Sequence, residues 1–254
     1  MMIKPDTLSS YLNVTLENHV NHAKKEPDLM WMTHEMDRFF HQEVFIQKYD
    51  ANAVTIVLAT NSYMLLSNAV SQALSGHQVA VLPVARTALE SACYAYLTSS
   101  DNKMCEIWLN RDKSKTAREK CRKAFTIGAT EAKLKHISPD MADYLRKLYD
   151  LSIEYGAHPN IKAISRHLHL GDSADDKYRH FSHTGVYGEN SNPVNGALLI
   201  CVDVGQAIAF LLCASATGHP IINERADYFQ KWIDEKNKIV DAIRDENYED
   251  ESNG

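Results

Sequence analysis

Residues 51–100 read ANAVTIVLATNSYMLLSNAVSQALSGHQVAVLPVARTALESACYAYLTSS, and Arg86 and Glu90 are the only Asp, Glu, Lys or Arg residues among them. A stretch so poor in charge, broken at Ser75-Gly76-His77, predicts two consecutive core helices, about 51–74 and 78–98. Pro83 sits early in the second, where it either bends the helix or marks its true first turn. Arg86 and Glu90 are four apart and share a face of that helix. Charges inside an apolar segment are costly unless paired, so the two mark either a register-fixing ion pair or the floor of a polar site.

The same pattern extends outward. Residues 6–22 and 29–48 have amphipathic spacing, with Glu26-Pro27-Asp28 between them. Shorter helices are expected at about 101–110 and 140–155, the latter opened by Ser138-Pro139-Asp140 and capped by Gly156. Between them, 111–136 reads as one exposed helix. Two long helices, about 194–217 and 222–246, close the chain. The first carries one charge, Asp203, and is expected to neighbour the two core helices, with Asp203 as a second acceptor for Arg86. Residues 157–192 differ: Gly171, Gly185, Gly188 and Pro193 punctuate them. Residues 164–170 and 178–187 there fit two short strands. The fold class is therefore all-α, a multi-helix bundle with a small hairpin or irregular insertion near 164–190. Residues 1–247 read as a single domain and 248–254 as a disordered acidic tail.

Composition narrows the function classes. Ten glycines and seven prolines in 254 residues are too few for an all-β chain with its many turns. A net charge of −6 gives no general attraction to nucleic acid or anionic membrane. The five cysteines are odd in number, without Cys-x-x-Cys spacing, and read as reduced thiols in a cytoplasmic protein. The first residues lack a basic start and an apolar run, so no signal peptide is expected. Residues 197–214 come nearest to a membrane span, but Asp203 and Gln206 interrupt them, which favours a buried soluble helix. No phosphate-binding glycine loop and no Gly-x-Ser-x-Gly elbow occurs.

Three further groups carry possible chemistry. His158, His167, His169, His180 and His183 fall close together, with Asp175, Asp176 and Glu189 nearby. Their spacing matches no strong metal motif, so neither a metal nor a cofactor is called for. In Glu154-Tyr155-Gly156-Ala157-His158-Pro159-Asn160 a helix end presents His158 just before a proline, as acid, base, hydrogen-bond donor or simple helix cap. The basic segment Arg111–Lys123 has seven positive against two negative residues; it offers a route to nucleic acid, but a solvated helix face is favoured.

The run Leu82–Ala92, with its Arg-x-x-x-Glu helix, and Ser152 followed by His158-Pro159-Asn160 resemble short motifs of uncharacterised prokaryotic helical-bundle proteins, some of them HEPN-like. The resemblance spans about residues 60–165 and implies fold more than activity. HEPN ribonucleases pair an Arg with a His further along one helix. Arg166 with His169, and Arg179 with His183, do not match that dyad, which argues against ribonuclease activity.

These readings converge on a binding or sensing module. Its polar pocket would be lined by Arg86, Glu90, His158, Asn160, Asp203 and His183 and would accept a small polar ligand or a peptide without chemistry. One alternative is a HEPN-like hydrolase or nuclease with His158 or His183 as acid or base and Arg86 stabilising negative charge. The other is a structural protein, possible as a homo-oligomer, whose charges set helix register.

Overall fold

The computed structural model describes residues 8–45, 51–157, 161–171 and 180–252. The chain is an all-α bundle with one small antiparallel hairpin. Its elements run α1 (Leu8–Lys24), α2 (Met30–Phe39) with a π-helical turn (Phe40–Val44), α3 (Ala53–Leu74), α4 (Gln78–Thr98), α5 (Asn102–Leu109), a 3-10 turn (Arg111–Lys113), α6 (Lys115–Ala124) and α7 (Ile127–Leu134). They continue with α8 (Pro139–Ser152), a second π-helical turn (Ile153–Ala157), α9 (Ile161–Ser165), β1 (Leu168–Gly171), β2 (His180–His183), α10 (Asn192–Ala214), α11 (Pro220–Asn223) and α12 (Ala226–Ser252).

The bundle is centred on α3, α4 and α10, which pack pairwise as their low charge predicts. α10 is the core helix: Leu198, Cys201, Ile208, Leu211 and Cys213 are fully buried. α2 crosses it closely at Gly205, where an added Cβ would overlap the Met36 side chain. α4 keeps Pro83 inside its second turn. α3 differs from expectation. Its inner residues Leu58, Leu66, Ala69 and Ala73 are buried, but Ile56, Val57 and Met64 are more than half exposed. α3 and α10 both have the length and apolarity of a membrane span; 78% of that stretch is buried in α10 and 28% in α3.

Local capping explains where the sequence reading of the helices needs correction. The expected single helix at 111–136 is three pieces. Ser114 accepts from Ala117 N at 3.0 Å and Thr126 accepts from Ala129 N at 3.1 Å, so each starts a new helix. α6 buries only Cys121, leaving its basic residues in water. Gly156 is not a cap. The helix runs past it as a π-helical turn, and the glycine lets that turn lie against α4, since an added Cβ would overlap Leu82. The hairpin pairs Leu168 with His183 and Gly171 with His180, shorter than expected because residues 161–165 are helical. α12 continues to Ser252, through residues expected as tail.

Candidate functional site

Arg86 and Glu90 form an ion pair one helical turn apart, Nε to Oε1 at 2.9 Å. Arg86 also donates to the Tyr149 hydroxyl at 2.8 Å and lies over its ring at 4.7 Å. Burial disfavours the guanidinium charge, but Glu90 and Tyr149 outweigh it and raise the Arg86 pKa. The pair is neither sealed nor free in water: its side chains are 20% and 38% exposed.

Asp203 does not join it. Its carboxylate instead pairs with Lys236 of α12 and accepts from the Tyr144 hydroxyl at 2.9 Å. Lys236 is only 7% exposed. Burial, then the Asp203 charge, raises the Tyr144 pKa strongly, so the phenol stays protonated. The expected Arg86–Asp203 cluster is thus two separate pairs, because α12 supplies a buried lysine that meets Asp203. His158 and Asn160 lie outside the described residues, as do Asp175, Asp176 and Arg179.

A different group of residues surrounds a cavity of about 310 Å³ between the N-terminal ends of α4 and α10, the second π-helical turn and the hairpin. Gln78, Tyr155, Arg166, His167, Tyr187 and Asn192 form its polar lining; Val81, Leu82, Pro193, Ala197 and Ile200 form the apolar part. Arg86, Glu90 and Asp203 are not among its walls.

The local fold fixes these side chains. Arg166 and His167 fall in the turn between α9 and β1, and Thr184 N donates to His167 O at 2.9 Å, continuing the hairpin ladder. His167 is buried, and its Nδ1 meets the Tyr187 hydroxyl at 2.7 Å. Burial, followed by Arg166, His183 and His169, lowers the His167 pKa, which favours neutral imidazole. His183 stands beside it, ring centroids 5.9 Å apart. Arg166 is exposed and sits 5.3 Å above the Tyr155 ring.

Tyr187 is held by the turn that joins α3 to α4. Tyr187 N donates to Gly76 O at 3.0 Å, and Asn18 Nδ2 bridges Ser75 O and Tyr187 O. Gly76 has φ +84°, a left-handed conformation that glycine adopts without strain. α1 thereby clamps one lip of the cavity.

Two features of the walls have no structural explanation within the fold. Gln78 Nε2 is buried without a hydrogen-bond partner, an arrangement that costs about 1–3 kcal/mol. Gly196 lies inside α10 although an added Cβ would meet nothing within 4 Å. A glycine inside a helix costs roughly 0.5–1 kcal/mol relative to alanine. Such departures from local rules concentrate at functional sites.

Of the described residues expected to line a site, only His183 adjoins this cavity, through His167. Sequence reasoning singled out His167 in the histidine cluster but missed Gln78, Arg166 and Gly196 as site residues. The usable signal was Gly196, a glycine in a long apolar helical run. Among the described residues, no three His, Cys, Asp or Glu side chains are grouped to hold a metal ion. Comparison of the chain with protein-family models, curated proteins and solved structures gives no significant match.

Proposed function

We propose that this protein is a binding or sensing module whose small polar ligand occupies the cavity between the ends of α4 and α10. The observation that carries the reading is the convergence of Arg166, His167, Tyr155, Tyr187 and Gln78 from four separate segments on one space of about 310 Å³. That volume is at the small end of ligand pockets, and a mostly preformed concavity with a few convergent polar groups is the usual form of such sites. The five cysteines are free and buried, which supports a reducing, cytoplasmic setting.

A hydrolase or nuclease reading has less behind it. His167 and Tyr187 form a dyad, but the described residues of the lining add no Ser, Thr, Cys, Asp, Glu or Lys to it. The HEPN-like expectation rests on short motifs in residues 82–92, 152 and 158–160, the last of which lie outside the described residues.

The experiment is a thermal-shift screen of small polar compounds against the wild type and Gly196→Phe. Gly196 lines the cavity and has open space beside it, so a phenylalanine there narrows the cavity without displacing a core group. The expected result is a set of compounds that raise the wild-type Tm in a saturable way and leave the variant unchanged. Equal shifts in both proteins, or none in either, contradict the reading.

A further inference from the structure

The polarity of the cavity wall is one-sided. Its described lining contains no carboxylate, and its only permanently charged side chain is Arg166. Among the described residues, Arg166 has no ion-pair partner, and the Tyr155 ring beneath it limits where the guanidinium goes. Beside it, His167 uses Nδ1 toward Tyr187. An imidazole in contact with a phenol at Nδ1 can present Nε2–H as a second donor when the phenol donates. Gln78 adds a buried N–H donor with no acceptor. The same lining also holds the hydrocarbon surfaces of Val81, Leu82 and Ile200 and the bare backbone of Gly196.

A cation would meet Arg166 as a like charge, and the described lining holds no carboxylate to offset it. A wholly apolar molecule would leave the buried Gln78 Nε2 without the acceptor it lacks. An anion satisfies both, because charge-assisted hydrogen bonds from guanidinium and imidazole are about twice as strong as neutral ones. The apolar part of the lining is then best covered by carbon, not water.

We propose that the ligand of this cavity is a small organic anion, with a carboxylate or phosphate head held by Arg166 and His167 and an apolar body against Val81, Leu82 and Ile200. The proposal rests on the cavity being the binding site, and its test separates the two claims. Benzoate, phenyl phosphate, inorganic phosphate, benzyl alcohol and benzylamine are titrated calorimetrically into the wild type, Arg166→Gln and Gly196→Phe.

The expected result is saturable binding of benzoate or phenyl phosphate, at least tenfold tighter than benzyl alcohol or benzylamine. Arg166→Gln weakens it tenfold or more, and Gly196→Phe abolishes it. Arg166 is exposed, so its replacement leaves the core untouched. The tighter of benzoate and phenyl phosphate identifies the head group. Inorganic phosphate binding as tightly as phenyl phosphate overturns the apolar body. Benzyl alcohol or benzylamine binding as tightly as the anions, and lost in Gly196→Phe, overturns the anion while the cavity reading stands. Binding of no probe overturns the proposal, and with an empty thermal-shift screen it removes the cavity reading too.

Discussion

Gln206 is fully buried on α10, and neither its Nε2 nor its Oε1 has a hydrogen-bond partner. An amide stripped of water and left unpaired is a net cost, whereas an apolar side chain of similar shape has none. Gln206→Met is expected to raise stability by about 1–3 kcal/mol, read as a higher urea midpoint at unchanged slope. A lower midpoint contradicts the assignment of that amide as unpaired. Asp203 behaves oppositely. Asp203→Ala strands the ammonium of Lys236 in a 7% exposed position, and breaking a buried pair this way costs about 3–5 kcal/mol. The double replacement Asp203→Leu with Lys236→Met is expected to recover most of that loss, since removing both charges also removes the desolvation penalty. Arg86 and Glu90 are partly solvated, so breaking their pair costs much less than breaking that of Asp203. Isolated charges drew attention to the right helices, but their sequence could not distinguish them. A lysine on an amphipathic helix looks solvated until the tertiary fold places an aspartate opposite it.

Two helical glycines give opposite predictions for one substitution. Gly156→Ala forces a Cβ into Leu82, where the π-helical turn lies on α4; overpacking of this kind costs about 1–3 kcal/mol. Gly196→Ala meets open space and is expected to stabilise by about 0.5–1 kcal/mol through helix propensity. Thermal denaturation of the two variants checks both signs; a loss at 196 would show that its glycine is structural. Most elements were legible from periodicity and punctuation. α3, α4 and α10 follow from their apolar runs, and α8 from Ser138-Pro139, where Ser138 does cap Met141 N at 3.2 Å. The breaks at Ser114 and Thr126 were missed because a single capping side chain leaves the apolar period almost unchanged. The outer face of α3 was misread for a related reason: Ile56, Val57 and Met64 are as apolar as its inner face, so no moment in the sequence says which side meets water.

Across the whole molecule, α1 contributes little to the main core and more to position. Asn18 and His22 bond to the ends of the α3–α4 turn and of the loop that carries Tyr187 to the cavity. The cavity itself was not legible because it is assembled from segments about a hundred residues apart, and nothing local to Gln78 or Ile200 announces a shared space. Its histidine belongs to a wider pattern. Burial lowers the pKa of His77, His167 and His219 from 6.5. Each is bound more readily by a proton in the unfolded chain, so their contribution to stability is complete above about pH 6.5 and is lost as pH falls below it. The Tm is expected to fall between pH 7.5 and pH 5.5, and by less in His219→Gln, which removes the most buried of the three. A Tm that is flat or rises on acidification contradicts the neutral, buried assignment.

The central claim is that the space between the ends of α4 and α10 takes a small ligand. It is tested most directly by two-dimensional NMR titrations of the assigned protein with benzoate, phenyl phosphate, benzyl alcohol and benzylamine in turn. The account predicts saturable shifts concentrated at residues 78–82, 166–167, 187 and 192–200. Shifts centred instead on Trp31 and Trp232, which line a separate cavity of about 390 Å³, or no shifts at any concentration, contradict it.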